Sequence, residues 1–410
     1  MSERTARPPG KKAKPRLKRK DIQGAKFLAP ILQLLAPLHD HCPDPKRNLH
    51  YDEYCVWLLL YFFNPILDSM RGLQQASDIR ALREQLKLPR FSLGSFSESG
   101  SVFDPQLLVP IIDQLGESLE NIEPNQQLLG LDKRPVAVDG TLLHALPKMV
   151  WALWRDDEHR AAKMHLHFDL LKGAPESATL THAQASEIDT LRTNLRPNRL
   201  YVQDRGYFSF PLMAEILQAG SSFVTRARNN MVYETLEERP LTEADRKQGI
   251  QTDRIVRAGW DLKHNPISQP LRLVEIHVSD SGPTSRPRVD SKTKLYRTRE
   301  TDHTLLLLTN QLELDVSTIA LLYRYRWQVE LFFRWFKKVL EADHLLSLSE
   351  NGLTIVMYCA LIASMLVTLW TGRKPTKRTF EMLCFYFAGW ASDEDLLTHI
   401  ERLKAHEKTN

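Results

Sequence analysis

Four side chains that can bind phosphate or metal ions recur at helical spacing late in the chain. They are Tyr323, Arg326, Glu330 and Lys337, at intervals of three, four and seven residues. Such positions lie on one face of an α-helix, so a helix over residues 318–340 would present all four together. A glutamate between two cations could also belong to a solvated ion-pair row, which contributes only about 0–1 kcal/mol. Aromatic residues crowd the same turns, which favours a helix packed against the protein.

Two aspartates stand where short apolar strands are predicted to end. Asp139 closes the run P-V-A-V-D and precedes G-T, and Asp204 closes R-L-Y-V-Q-D and precedes R-G-Y. The carboxyl ends of strands are where open α/β sheets place their ligands. Asp-Gly and Asp-x-Gly sequences also make ordinary turns, so either aspartate alone could be structural.

Three carboxylates with cations nearby suit metal-assisted cleavage of phosphodiester bonds. Two Mg²⁺ ions about 3.5–4 Å apart need shared carboxylate oxygens to hold them against their mutual repulsion. One ion would activate the attacking water or 3′-hydroxyl, and the other would stabilise the leaving oxygen. Tyr323, Arg326 and Lys337 would then contact the phosphate backbone, which arginine can bind in a bidentate manner.

These residues resemble the motifs of a known family. The spacing Y-x2-R-x3-E-x6-K, the D-G-T at Asp139 and the D-R-G-Y at residues 204–207 are similar to those of type-four insertion-sequence transposases, cut-and-paste DDE enzymes with a Tyr-Arg-Glu-Lys signature. The resemblance covers roughly residues 70–370. It implies a ribonuclease-H-like α/β core in which Asp139, Asp204 and Glu330 are the catalytic, metal-binding residues. The implied cofactor is Mg²⁺, two ions per site, with Mn²⁺ able to substitute.

The resemblance also implies a function and partners. The expected activity is binding of terminal inverted repeats, cleavage at the element ends and strand transfer to target DNA. The expected partner is double-stranded DNA, held by a dimer in a synaptic complex and located in the bacterial cytoplasm, associated with the nucleoid when bound. Two alternatives remain open: a ribonuclease-H-like DNA nuclease without strand transfer, and a DNA-binding regulator derived from a transposase.

Further DNA contacts are expected outside the four-residue spacing. Arg226 leaves a predicted strand in the segment F-V-T-R-A-R-N-N and could contact phosphate. Members of the family that form a DNA hairpin stack an aromatic side chain on a flipped base, which makes Trp260 and Trp327 candidates. Core packing is the alternative for both tryptophans.

His165, His167 and Asp169 alternate along one predicted strand and therefore share a face. A first-row transition metal could bind such a group. A buried, hydrogen-bonded histidine pair near the active-site sheet is the preferred interpretation.

The elements that must position these residues divide the chain into six segments. Strands alternating with helices favour a mixed α/β sheet, and a stretch of strands separated by turns favours an all-β insertion within it. Residues 91–101, rich in Ser and Gly, are predicted to form a loop. The predicted segments are a basic disordered arm (1–20), a helical N-terminal DNA-binding region (21–130), the first part of the core (131–228), the β insertion (229–303), the second part of the core with the glutamate helix (304–345) and a C-terminal helical region (346–410).

Residues 352–370 pass without a charge, which is near the minimum of about 18 residues for a membrane-spanning helix. The run contains three Ser or Thr side chains and is the only uncharged apolar run of this length in the sequence. A helix that is apolar all round can also lie in the core of a large protein. We therefore expect a buried helix and no membrane association.

The 410 residues carry a formal net charge of +5, but the charge is unevenly placed. Residues 1–20 hold nine Lys or Arg and one acid, so the remainder is slightly acidic. A block of positive charge could bind a polyanion such as DNA by releasing its counterions. Four cysteines without a C-x-x-C pair exclude a disulfide framework and give no zinc motif, which fits a cytoplasmic setting.

Overall fold

A computed structural model describes residues 31–41, 46–64, 67–123, 125–145, 160–259, 265–277, 304–340 and 346–409 of the chain. The predicted basic arm at residues 1–20 and Trp260 lie outside these ranges. The described residues form one nine-stranded mixed sheet with helices on both faces. The predicted α/β core is confirmed.

The strands are β1 (Arg134–Ala145), β2 (Arg160–Asp169), β3 (Ala174–His182), β4 (Arg199–Gln203), β5 (Ser222–Arg226), β6 (Tyr233–Glu238), β7 (Ile250–Ala258), β8 (Leu271–His277) and β9 (Thr304–Thr309). The helices are α1 (Tyr51–Phe63), α2 (Met70–Asp78), α3 (Arg80–Leu86), α4 (Leu93–Val102), α5 (Val109–Ser118), α6 (Gln126–Leu129), α7 (Glu187–Thr193), α8 (Phe210–Gln218), α9 (Glu243–Lys247), α10 (Val316–Tyr325), α11 (Trp327–Lys338), α12 (Glu350–Thr371), α13 (Lys377–Phe387) and α14 (Asp393–Thr409).

The strand order is β3-β2-β1-β4-β5-β9-β8-β7-β6. β4 runs parallel to β1, and β5 runs parallel to β4, whereas the other neighbouring strands are antiparallel. The carboxyl ends of β4 and β5 therefore lie together at one edge of the sheet, beside the middle of β1, whose parallel pairing with β4 ends at Val138. This is the edge at which parallel strands usually place a binding site.

Alternation along the central strands separates two apolar cores. Val136, Val138 and Tyr201 face one layer, where they pack with α7 and α8. Ala137 and Val202 face the opposite layer, which contains α10, α11 and the N-terminal and C-terminal helices. Successive side chains beyond Val138 and Val202 therefore continue to alternate between these two layers.

The predicted β insertion at residues 229–303 contributes strands to the same sheet. β6, β7 and β8 extend the sheet beyond β9. The described part also contains α9, begun by a capping box between Thr242 and Asp245, so the expectation of strands alone was wrong. Residues 260–264 and 278–303 of the predicted insertion lie outside the described residues.

Two local predictions were wrong. Residues 93–102 form α4 instead of a loop, because the Ser92 side chain caps the helix by accepting from the Ser95 N–H at 3.1 Å. The single helix predicted over residues 318–340 is divided into α10 and α11 at Arg326. Arg326 keeps helical dihedral angles, and its N–H donates to both Leu322 and Tyr323, so the division is slight.

The apolar segment at residues 352–370 lies within α12. Among the described helices, α12 alone is long and apolar enough to cross a membrane. However, 94% of its most apolar window is buried inside the protein. It packs against α1, α4, α5 and β3, which is the buried position that we expected.

Candidate active site

Asp139 and Asp204 are brought together by the parallel pairing of their strands. The register pairs Val138 with Gln203, so the two aspartates are the next residues along each strand. β4 ends at Gln203, whereas β1 continues to Ala145 while paired with β2. Asp139 therefore lies inside a strand whose other edge is open, and Asp204 begins the turn that leaves the sheet.

Arg326 joins two carboxylates that come from different elements. Its Nη2 donates to Glu330 Oε1 at 2.7 Å, and its Nη1 lies 3.4 Å from Asp139 Oδ2. The spacing of four residues places Glu330 one turn further along the helix. Because α11 packs against β1, the guanidinium reaches the strand as well as its own helix.

Tyr323 links the third carboxylate to the same helix pair. Its hydroxyl donates to Asp204 Oδ1 at 3.0 Å, and its ring lies 5.7 Å from the Arg326 guanidinium carbon. The three acids predicted from the sequence are therefore gathered around Tyr323 and Arg326.

The electrostatic environment differs from that of a solvated ion-pair row. Burial raises the pKa of Asp139 to about 6, against the opposing effects of the Gly140 N–H and Arg326, and the neighbouring charges of Glu330 and Glu187 raise it further. Burial would lower the pKa of Arg326, but its tyrosine and carboxylate neighbours outweigh this and leave it raised. Burial also raises the pKa of Tyr323 to about 12. The site keeps a charged guanidinium among closely spaced acids.

Lys337 lies on the same side of α11 as Glu330. Its Nζ donates to the carbonyl oxygen of Leu142, three residues beyond Asp139 on β1. All four residues of the helical spacing therefore lie on the side of α10 and α11 that faces Asp139 and Asp204. Whether they contact DNA stays a prediction.

Arg226 lies beside Asp204 in an open cavity of about 620 Å³. Asp204, three arginines, two asparagines and one glycine line this cavity. The residues other than Asp204 are Arg205, Arg226, Arg228, Asn229, Asn230 and Gly206. Its predominance of cations suits an anionic ligand. Trp327 is 51% exposed next to Arg326, so it is not a core residue, and Trp260 lies outside the described residues.

His165 and His167 are buried, as expected, but not fully hydrogen-bonded. His165 Nε2 lies 2.8 Å from Thr181 Oγ1, whereas Nδ1 of both rings has no partner among the described residues. Burial lowers the pKa of each ring to about 4, so both are neutral at pH 7. Asp169 instead accepts from the N–H groups of Leu171 and Lys172.

Glu187 is a further acid at this site, and the spacing of residues in the sequence does not indicate it. Glu187 is the first residue of α7 and pairs with Lys163 at 3.4 Å. Its charge contributes to the raised pKa values of Asp139 and Tyr207, after the larger effect of burial. The only sequence signal is a serine followed by an acid at a helix start, which normally indicates capping alone.

The donor chemistry of the site fits a divalent cation. Carboxylate oxygens are the ligands that Mg²⁺ prefers, and a guanidinium already contacts Asp139 and Glu330 where a positive charge is needed. Within the described ranges, no three acidic, histidine or cysteine side chains are arranged as a ready-formed metal site. The residue types therefore fit the metal, and in this structure Arg326 contacts two of the carboxylates, Asp139 and Glu330.

Acidic side chains inside β1, directly after β4 and on α11 define an α/β protein with an acidic site where the parallel pairing of its central strands ends. The chain matches the family model described as Transposase DDE domain over residues 130–366, more than half of its length. It therefore belongs to this transposase family. The matched segment contains Asp139, Asp204 and Glu330.

Two curated relatives carry transposase names. The chain is 27% identical over 213 residues to "Putative transposase y4zB" of Sinorhizobium fredii (strain NBRC 101917 / NGR234), which covers 51% of this chain and 53% of that protein. It is 22% identical over 339 residues to "Probable transposase for insertion sequence element IS5377" of Geobacillus stearothermophilus, covering 80% and 79% respectively. The chain thus spans about half the length of the first relative.

A solved structure also aligns along most of the chain. It is the cryo-EM structure of the piggyBac transposase synaptic complex with hairpin DNA, with a TM-score of 0.37 and 11% identity. The alignment covers 94% of this chain and 80% of that one. At this TM-score the similarity carries no conclusion about the present protein.

Proposed function

We propose that the protein is a DNA transposase of an insertion sequence. It binds terminal inverted repeats, cleaves phosphodiester bonds at the element ends and joins 3′-hydroxyls to target DNA in a cut-and-paste reaction. The observation that carries the proposal is the convergence of the predicted acids on Tyr323 and Arg326, at the point where the parallel pairing of β1 and β4 ends. Membership of the transposase family supports it, and the spacing from Tyr323 to Lys337 supports the narrower type-four group.

In this proposal Asp139, Asp204 and Glu330 hold two Mg²⁺ ions, which Mn²⁺ can replace. The bound metal supplies activation of the attacking oxygen and stabilisation of the leaving one. The mixed sheet, with Asp139 inside β1 and Asp204 directly after β4, supports a ribonuclease-H-like core.

The remaining residues bind and orient. Tyr323 fixes the orientation of the Asp204 carboxylate through its 3.0 Å hydrogen bond. Arg326 contacts two carboxylates and can bind the scissile phosphate beside them, because a guanidinium matches phosphate geometry. Arg226 and Lys337 would contact the phosphates on either side, and Trp327 is exposed enough to stack on a base.

The proposed assembly is a dimer that holds two element ends in a synaptic complex, in the cytoplasm and on the nucleoid. Double-stranded DNA is its partner, and the N-terminal helical region is the proposed reader of the inverted repeat. Sizing the DNA-bound complex by light scattering tests the assembly. Two protein chains for two ends are expected, and one chain for two ends would contradict it.

The direct test uses DNA that carries the nucleotides flanking the coding region, where matched inverted repeats are expected. The purified full chain should cleave at the repeat boundaries with Mg²⁺ and should join pre-cut ends to a target plasmid. Asp139→Asn should do neither. Asp132→Asn, an exposed aspartate seven residues earlier, is the matched control and should retain both steps.

The rival functions give different products. A nuclease of the same fold would cleave without joining the pre-cut ends. A regulator would bind the repeats without cleaving them, and Asp139→Asn would then change nothing. Either result would overturn the transposase proposal.

A further inference from the structure

Glu187 reaches the catalytic strands from the opposite layer of the sheet. It lies on α7, which contacts β1, β2 and the turn at residues 205–207. Asp139 shares its parity with Ala137 and faces the layer of α11, whereas Gly140 faces the layer of α7. Asp139 and Glu187 therefore lie on opposite faces of β1, next to the edge that β4 leaves open beyond Gln203.

Gly140 makes this approach possible, and Gly206 lies beside it at an ordinary contact distance. A Cβ atom at Gly140 would lie only 2.9 Å from Glu187 Oε1, which is closer than side chains tolerate. A Cβ atom at Gly206 would lie 3.6 Å from Glu187 Oε2. Gly140 directly follows Asp139, and Gly206 is two residues beyond Asp204. The Glu187 carboxylate thus lies between the two backbone segments that carry the aspartates.

A purely local role does not account for this position. An acid in the first turn of a helix interacts favourably with the helix dipole, by about 0.3–1 kcal/mol at an exposed site. Asp189, in the same turn, fills that role while paired with Arg192 at 2.5 Å on the surface. Glu187 instead points toward Gly140 and pairs with Lys163, whose side chain is largely buried.

We propose that Glu187 is a fourth carboxylate of the active site and acts with Asp139 in binding the divalent cation. This rests on the proposed function, because the cation is the one that the transposase reaction needs. Lys163 would be the counter-ion that holds Glu187 in place before the metal binds. The Tyr-Arg-Glu-Lys spacing contains no residue of α7, so the proposal adds a residue outside it.

The test measures Mn²⁺ binding to the full chain without DNA, by electron paramagnetic resonance of the free ion. Glu187→Gln keeps the shape of the side chain and removes its charge, and should weaken Mn²⁺ binding by about ten-fold or more. Asp189→Asn is the matched control in the same helical turn and should bind as the unchanged protein does. Thermal unfolding without metal should give similar melting temperatures for all three proteins.

A double variant separates metal binding from an effect through Lys163. Removing Glu187 leaves a lysine charge that could itself repel the cation. In Lys163→Gln/Glu187→Gln the repulsion is gone, and Mn²⁺ binding should stay weak. Full recovery would show that Glu187 only neutralises Lys163, and would overturn the proposal.

Gly140→Ala gives an independent perturbation, because the added methyl group displaces the Glu187 carboxylate. It should weaken Mn²⁺ binding in the unchanged protein and much less in Glu187→Gln, since contacting residues are not additive. Equal effects in both backgrounds would contradict the inference.

Asp139→Asn distinguishes failure of this inference from failure of the proposed function. If Asp139→Asn weakens Mn²⁺ binding and Glu187→Gln does not, the fourth carboxylate is wrong and the proposed metal site stands. If neither variant changes binding, or the unchanged protein binds no Mn²⁺, both are wrong.

Discussion

Two arginine–carboxylate groups among the described residues differ in how completely their hydrogen-bonding groups are satisfied. Between β7 and β8, Arg272 donates from Nε and Nη2 to the two oxygens of Asp253 at 2.8 and 2.7 Å. Its Nη1 donates to the carbonyl oxygens of Leu312 and Leu314. Both charged side chains are 4% exposed. This pair has one acid for one base and no accessible oxygen left for a ligand.

The group around Arg326 is open by comparison. The guanidinium is shared between Asp139 and Glu330, and one of the two contacts is long at 3.4 Å. Its Nε is buried without a hydrogen-bond partner among the described residues. The carboxylates are 23% and 31% exposed, so a ligand can reach them.

We therefore expect the Arg272–Asp253 pair to stabilise the sheet and the group around Arg326 to bind a ligand. A closed pair loses stability when one partner is removed, because the other is left buried and uncompensated. An open group keeps incompletely used charges that a metal ion or a phosphate can engage.

The largest effect is expected at the open site. Asp139→Asn removes a proposed metal ligand and should lower DNA cleavage by about 10³-fold or more, as for members of a catalytic unit. Its unfolding temperature should change little, because Arg326 keeps its shorter contact to Glu330. A gel-based cleavage assay and a thermal scan measure the two quantities. Retained cleavage would show that the open carboxylate group is not the catalytic site.

The closed pair should behave in the opposite way. Asp253→Asn leaves the Arg272 charge buried without its partner and should reduce the free energy of unfolding by about 3–5 kcal/mol. Urea unfolding followed by circular dichroism measures this loss. The fraction that remains folded should cleave DNA normally. Unchanged stability would mean that burial and full hydrogen bonding do not mark a structural pair here.

Acid should reduce the stability of the fold through two buried histidines of β2. The pKa values of His165 and His167 are lowered by burial to about 4, from an ordinary value of 6.5. Between these values the unfolded state binds more protons, so stability is full above about pH 6.5 and falls as the pH drops toward 4. Each histidine should contribute up to about 3 kcal/mol to this loss.

The variant His165→Gln/His167→Gln isolates this effect from that of other titrating groups. Its difference curve against the unchanged protein should slope between pH 6.5 and 4 and be flat above. A flat curve throughout would show that the two rings are not held neutral by burial.

The smallest effect is expected for a cation beside the open site. Arg226→Gln should reduce the slope of log affinity against log salt by about 1 if Arg226 contacts one phosphate. Arg257→Gln is the control, because Arg257 is 64% exposed and pairs with Glu234 away from the cavity. Fluorescence anisotropy with labelled repeat DNA measures the slopes of both variants. Equal slopes for Arg226→Gln and Arg257→Gln would show that Arg226 does not contact a DNA phosphate.

Local spacing predicted the open site better than it predicted the fold around it. The intervals that join Tyr323, Arg326 and Glu330 follow from helix geometry, and a slight division at Arg326 did not disturb them. No proline or glycine lies in residues 318–340, so nothing in the sequence indicates that division. Glu187 was missed because it comes from the other layer, and only packing against Gly140 reveals its position.

The closed pair could not have been predicted from spacing. Asp253 and Arg272 lie on neighbouring strands, 19 residues apart, and meet only when β7 and β8 pair. The strand β3 was also missed, since its sequence A-P-E-S-A-T-L-T-H carries proline and little apolar alternation. Its partner β2 supplies the pairing that determines its conformation.

In the proposed function, Asp139 binds the metal on which the reaction depends. The most direct measurement is the strand-joining rate of Asp139→Cys with pre-cut ends, compared in Mg²⁺ and in Mn²⁺. A thiolate binds Mg²⁺ poorly and accepts softer ions better. The account predicts no joining in Mg²⁺ and partial recovery in Mn²⁺, with no recovery for Asp139→Ala. Equal joining by Asp139→Cys and the unchanged protein in Mg²⁺ would contradict it.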